Sequence, residues 1–174
     1  MNTRMLSIGG SIRGRAAVGL TAVALLASAA SAVAGGSDVE RPLKGSCETT
    51  FAPAGPPIGT PPVQTFDITL TCRLSHLGLT GGAAVQQVTF GIPPFAIATP
   101  QIVYVAANGD ELYASFSGLG VPGPDGLTVA FAGTTTYAGG TGRFANATGW
   151  SLDTGSASLA TSTGALTVRG ALRY

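Results

Sequence analysis

The chain has 174 residues with nine basic and eight acidic side chains, a formal net charge of +1, and only 10% charged residues beside 26 glycines and 11 prolines. So even a balance, with no basic stripe, gives no electrostatic basis for nucleic-acid binding. No Lys/Arg-rich amphipathic segment suggests a membrane-surface helix, and the Gly-, Thr- and Val-rich composition points to a β-rich protein.

The N-terminus reads as a targeting segment. Arg4, Arg13 and Arg15 precede a charge-free run, Ala16 to Ala30, and two A-x-A sites follow at Ala30-Ser31-Ala32 and Ala32-Val33-Ala34. That order is a Sec-type signal peptide over residues 1–34, cleaved after Ala34. A transmembrane anchor is the alternative, but an apolar core of about 15 residues is short of the ~20 that span a bilayer. Gly14 separates Arg13 from Arg15, so a twin-arginine route is not indicated. Cleavage leaves 140 residues with six basic and eight acidic side chains, no integral membrane span, and a secreted, periplasmic or envelope location.

Residues 35–43 are polar and expected to be flexible, which places the folded domain at 44–174. Lys44 to Phe51 reads as a first strand. Ala52 to Pro62 holds five prolines and two glycines, and so reads as an exposed loop. From Phe66 the pattern alternates: Phe66, Ile68, Leu70, Cys72 and Leu74 on an inward face, Asp67, Thr69, Thr71 and Arg73 on the other. Ala84 to Phe90 and Gln101 to Ala107 give further strands. Asn108-Gly109-Asp110 is a hairpin signal returning through Glu111 to Ser117. Leu127 to Tyr137 alternates again. A second glycine-rich turn, Gly139, Gly140 and Gly142 on to Gly149, leads into Trp150 to Thr161 and Ala165 to Tyr174. About eight strands without a convincing helix favour an all-β, closed, eight-stranded antiparallel barrel, with a two-sheet sandwich as the competing architecture.

Cys47 and Cys72 are the only cysteines. An even count behind a signal peptide reads as one disulfide tying the first strand to the second; two buried thiols are the alternative. No C-x-x-C suggests redox chemistry.

Other chemistry is sparse. His76 is the only histidine, so a multi-His zinc site is excluded, and no metal or cofactor is expected. A catalytic triad lacks its G-x-S-x-G elbow, leaving His76 a structural role. Gly118-Leu119-Gly120-Val121-Pro122-Gly123 spells a dinucleotide fingerprint, but Pro122 and Pro124 cannot open the helix that motif requires. Asp110 and Glu111 point to opposite faces of a strand, so they are not a carboxylate pair; Asp110 more plausibly caps its turn. Arg143 reads first as an ion-pair partner for an acid such as Asp110, and second as a ligand anchor at the barrel mouth. Asn108 is a turn former first and a ligand donor second. Tyr104, Tyr113, Tyr137 and Trp150 are amphipathic aromatics suited to lining a cavity and, equally, to ordinary barrel core or surface packing. Asn146-Ala147-Thr148 is treated as an incidental glycosylation triplet.

The order His76-Leu77-Gly78, Ala106-Ala107-Asn108-Gly109-Asp110-Glu111-Leu112, Gly139-Gly140-Thr141-Gly142-Arg143-Phe144 and a terminal Gly170-x-x-x-Tyr174 resembles secreted bacterial proteins of the allene oxide cyclase-like barrel group. The Gly-Gly-Thr-Gly-Arg-Phe segment is also similar to a turn of plant dirigent proteins. The resemblance implies a calycin-like barrel with a central cavity from about Lys44 to Tyr174. The matching residues build turns and specify no reaction. The expected function is an exported barrel without catalytic motif that binds a small hydrophobic ligand, with Asn108, Arg143, Tyr104 and Tyr113 as candidate contacts. The alternatives are an isomerase or cyclase acting on a hydrophobic substrate, and a structural or adhesive envelope protein. The oligomeric state is left open, a homo-oligomer included.

Overall fold

The computed structural model describes residues 39–174, so the expected signal peptide lies outside the described residues. The strands are β1 (Glu40–Pro53), β2 (Val63–Leu74), β3 (Gly78–Thr89), β4 (Phe95–Val105), β5 (Glu111–Pro122), β6 (Thr128–Gly140), β7 (Thr148–Ser158) and β8 (Thr163–Arg173), with one 3₁₀ turn at Gly142–Phe144. Each strand pairs antiparallel with the next, and β8 closes on β1 from Glu40↔Arg173 to Thr50↔Thr163. The result is a closed eight-stranded up-and-down barrel, which leaves no sheet edge unpaired.

Side-chain alternation sets what the barrel encloses. In β2, Leu70, Cys72 and Leu74 are buried while Asp67, Thr69, Thr71 and Arg73 are exposed, because successive residues point to opposite faces. Among the described residues no helix is long and apolar enough to cross a membrane.

β1 begins earlier than the polar character of residues 35–43 suggests. Leu43 is fully buried and pairs with Gly170, and Glu40 meets Arg173 in register with an ion pair of 3.0 Å. Pro42 also anchors the β2–β3 turn, its carbonyl accepting from Ser75 Oγ at 3.1 Å and lying 3.1 Å from His76 Nε2. One apolar residue is enough to draw a polar segment into the closing seam.

The Cys47–Cys72 disulfide is present, joining directly paired residues of β1 and β2. Both cysteines are buried in the larger core cluster, which fills one end of the barrel with Leu43, Leu74, Leu77, Leu112, Val168 and Leu172.

That end is plugged from below. The Gly139–Gly149 segment, expected to be a tight reversal, instead forms the 3₁₀ turn, and its Phe144 is fully buried. Tyr174 packs on Phe144 at 5.0 Å between ring centroids, and the Arg41 guanidinium lies 5.0 Å from the Tyr174 ring. Asn108-Gly109 also departs from a two-residue hairpin. Only Gly109 takes a positive φ (88°), and the loop is closed by Gly109 N–H to Ala106 O (2.9 Å) and Ala106 N–H to Asp110 O (2.9 Å).

The opposite end carries the connections β1–β2, β3–β4, β5–β6 and β7–β8. The proline-rich loop there is pinned by Gln64, whose Nε2 donates to Gly55 O at 2.8 Å.

Candidate functional site: a phenylalanine-walled cavity with a carboxyl floor

The end away from the plug holds a cavity of about 130 Å³. Strand alternation brings Phe51, Phe66, Phe90, Phe95, Phe116 and Phe131 to its wall, six of the seven phenylalanines in the chain. They stand in neighbouring pairs: Phe51–Phe66 edge-on at 5.8 Å, Phe90–Phe95 tilted at 5.3 Å, and Phe116–Phe131 edge-on at 6.5 Å. Edge-on contact suits the ring quadrupoles and keeps the wall rigid.

Glycines make room for these rings. A Cβ at Gly118 or Gly133, which are cross-strand partners, would meet the tip of Phe116, and one at Gly155 would meet the tip of Phe131. The absent side chains let the rings lie against the barrel wall.

Beneath the phenylalanines the lining turns polar. Asp153 of β7 is 4% exposed and accepts two hydrogen bonds, from Thr135 Oγ1 at 2.6 Å and from Ser151 Oγ at 2.8 Å. Tyr137 Oη lies 3.0 Å from Ser151 Oγ. With Ser151's single proton given to Asp153, the tyrosine is the donor in that contact. All three hydroxyl protons therefore run toward the carboxyl. Burial pushes the Asp153 pKa above the ordinary carboxylate range, and the two hydroxyl bonds oppose that shift only in part.

Tyr104 of β4 reaches the same floor, 2% exposed, with its ring 6.4 Å from that of Tyr137. Its hydroxyl has no hydrogen-bond partner among the described residues, which leaves it available to a molecule in the cavity. Burial, with the neighbouring Tyr137 and Asp153, holds its pKa well above that of a free phenol. Higher on the wall, Thr99 Oγ1 donates to Gln86 Oε1 at 3.4 Å. Among the described residues no Lys, Arg or His lines the cavity. Among the described residues no group of three metal-ligating side chains occurs.

Of the candidate contacts from sequence, Tyr104 lines this cavity. Asn108 and Arg143 lie together at the plugged end, away from the mouth. There Asp110 Oδ2 accepts from Asn108 Nδ2 at 2.7 Å and from the Arg143 backbone N–H at 3.3 Å, and it lies 3.7 Å from Arg143 Nε. Arg143 Nη2 also donates to the His76 carbonyl at 2.9 Å, so its contacts hold two loops together. Tyr113 belongs to the β5 parity opposite the buried Leu112 and Ala114, and its hydroxyl donates to Glu111 at 2.8 Å.

Sequence reasoning did not single out Asp153, Thr135 or Ser151. The signal was there in inverted form. In β7 the large apolar residues Trp150 and Leu152 are half exposed, while Ser151 and Asp153 face inward. No protein-family model matches the chain, and neither a curated protein nor a solved structure matches it.

Proposed function

We propose that this protein is an exported barrel that binds a small, mainly apolar molecule in the phenylalanine-walled cavity, oriented by a polar head at Asp153 and Tyr104. One observation carries the reading: a buried carboxyl sits at the floor of a cavity whose wall is otherwise aromatic and aliphatic. Binding sites for small molecules commonly combine an apolar enclosure with a few placed polar groups. The Cys47–Cys72 bridge is compatible with an oxidising compartment, as the leader-like N-terminus requires. The resemblance to allene oxide cyclase-like barrels belongs to the same reading and rests on the turn motifs.

An isomerase or cyclase is the second reading. It is favoured by the convergence of Tyr104, Thr135 and Asp153 from three strands onto an apolar space, where burial raises the carboxyl's pKa toward that of a general acid.

The test is direct. The purified protein is titrated with an apolar fluorophore, and protein from its own host is weighed by native mass spectrometry. Saturable one-to-one binding that Phe116→Trp abolishes, or a co-purifying small molecule, supports the reading. A protein that binds no apolar probe and carries no adduct defeats it.

A further inference from the structure

We propose that the cavity is selective for amines: its ligand is a protonated amine on an aromatic or alkyl body, with the ammonium on Asp153 and Tyr104. This deepens the binding reading above and rests on it.

The first argument is charge. Among the described residues Asp153 is the only carboxyl lining the cavity, and no Lys, Arg or His lines it. A ligand carboxylate entering this space would find no cation to offset the burial of its charge, and an ionised Asp153 would repel it across a low-dielectric wall. Fatty acids and other organic anions are therefore disfavoured. An ammonium supplies the missing charge.

The second argument is hydrogen bonding. An ionised carboxylate offers about four acceptor positions. Thr135 and Ser151 occupy one on each Asp153 oxygen, so acceptor capacity remains on both. The Tyr104 hydroxyl oxygen adds another acceptor nearby. An R–NH₃⁺ head brings three donors and no acceptor, which matches this set. A ketone or ester brings only acceptors. To serve it, Asp153 would have to carry a proton or Tyr104 would have to turn its single proton to it, and the spare acceptor positions of an ionised carboxylate would go unmatched.

The third argument is the wall. Aromatic faces attract cations, and the attraction grows when water is excluded. Phenylalanine rings above a single buried carboxyl make a cage of that type. Without a ligand the carboxyl is held toward its neutral form by burial, and the ammonium would restore its charge.

The experiment compares three isosteric probes by isothermal titration calorimetry at neutral pH: phenylbutylamine, phenylbutanol and phenylbutyrate. The amine should bind at least about tenfold tighter than the alcohol, equivalent to roughly 1.4 kcal/mol, and the acid weakest. Asp153→Asn should abolish the amine's advantage, so that amine and alcohol bind within about twofold of each other. A second measurement needs only the unmodified protein. Amine binding should weaken as pH falls through the Asp153 transition, whereas alcohol binding should not. Alcohol binding as tight as the amine, or an amine preference that survives in Asp153→Asn, would overturn the amine assignment while the apolar-cavity reading stands. Failure of all three probes together with the apolar fluorophore would overturn both.

Discussion

Thr135 and Asp153 sit diagonally across β6 and β7, joined by a 2.6 Å hydrogen bond between two buried side chains. The hydroxyl is the closest donor to a carboxyl that burial drives toward neutrality. Thr135→Val keeps the shape and removes the donor. We expect a loss of about 1–3 kcal/mol, seen as a lower Tm, and a further rise of the Asp153 pKa in a carboxyl-resolved NMR titration. An unchanged titration would show that the bond does not tune the acid.

The same carboxyl makes stability depend on pH. Its folded pKa lies above the unfolded value of about 3.9, so the native state holds the proton more tightly than the unfolded chain. The associated stabilisation is complete below the unfolded pKa and is lost as pH rises through the folded one. Asp153→Asn removes the titration. The variant should gain Tm relative to the parent between acid and neutral pH, measured by circular dichroism across that range. Parallel Tm curves would contradict this.

Much of the barrel was legible because period-two alternation is a local signal. β2 and β8 show it cleanly, and their inward sets, Leu70, Cys72 and Leu74 with Val168 and Leu172, are buried as the pattern requires. The floor of the cavity was not legible. In β7 the pattern is reversed, and only closure of the barrel decides that Asp153 faces in and Leu152 out. Residues 40–43 carry no local strand signal for a related reason: the partner that orders them, β8, lies far along the sequence. Arg143 was legible in its plainer role. Its pairing with Asp110 follows from two turns that a barrel places side by side.

Cys47 and Cys72 are directly opposed across β1 and β2 and separated by 25 residues. Replacing both with Ser should cost roughly 3 kcal/mol on the chain-entropy account and lower Tm by several degrees. Equal melting of the oxidised parent and the double variant would argue against that contribution.

Two glycines at opposite poles should separate folding from binding. Gly142 has φ +52°, and a Cβ there would fall on the Asp110 carboxylate, so Gly142→Val should destabilise the fold by about 1–3 kcal/mol while binding stoichiometry stays intact below the melting range. Gly120→Ala should instead press on the Phe95 ring and the tip of Ile97, both on the cavity wall, and narrow the cavity, weakening fluorophore binding. Thermal melts run beside each titration distinguish the two effects. Equal loss of binding in both variants would sink the distinction.

His76 combines a positive φ of 70° with an exposed position and contacts only at the plugged end. His76→Asn should keep the left-handed backbone at low strain and leave every cavity measurement unaltered. A marked change in probe affinity would reveal long-range communication along the barrel.

Both the start of β1 and the last residue, Tyr174, lie at the pole sealed by Phe144. A handle attached after Tyr174 would therefore hang from the blind side. Tethered to a chip or a bead through it, the barrel would stand with its aperture toward the bulk solution, so immobilised screening of entrants need not obstruct the doorway it is meant to probe.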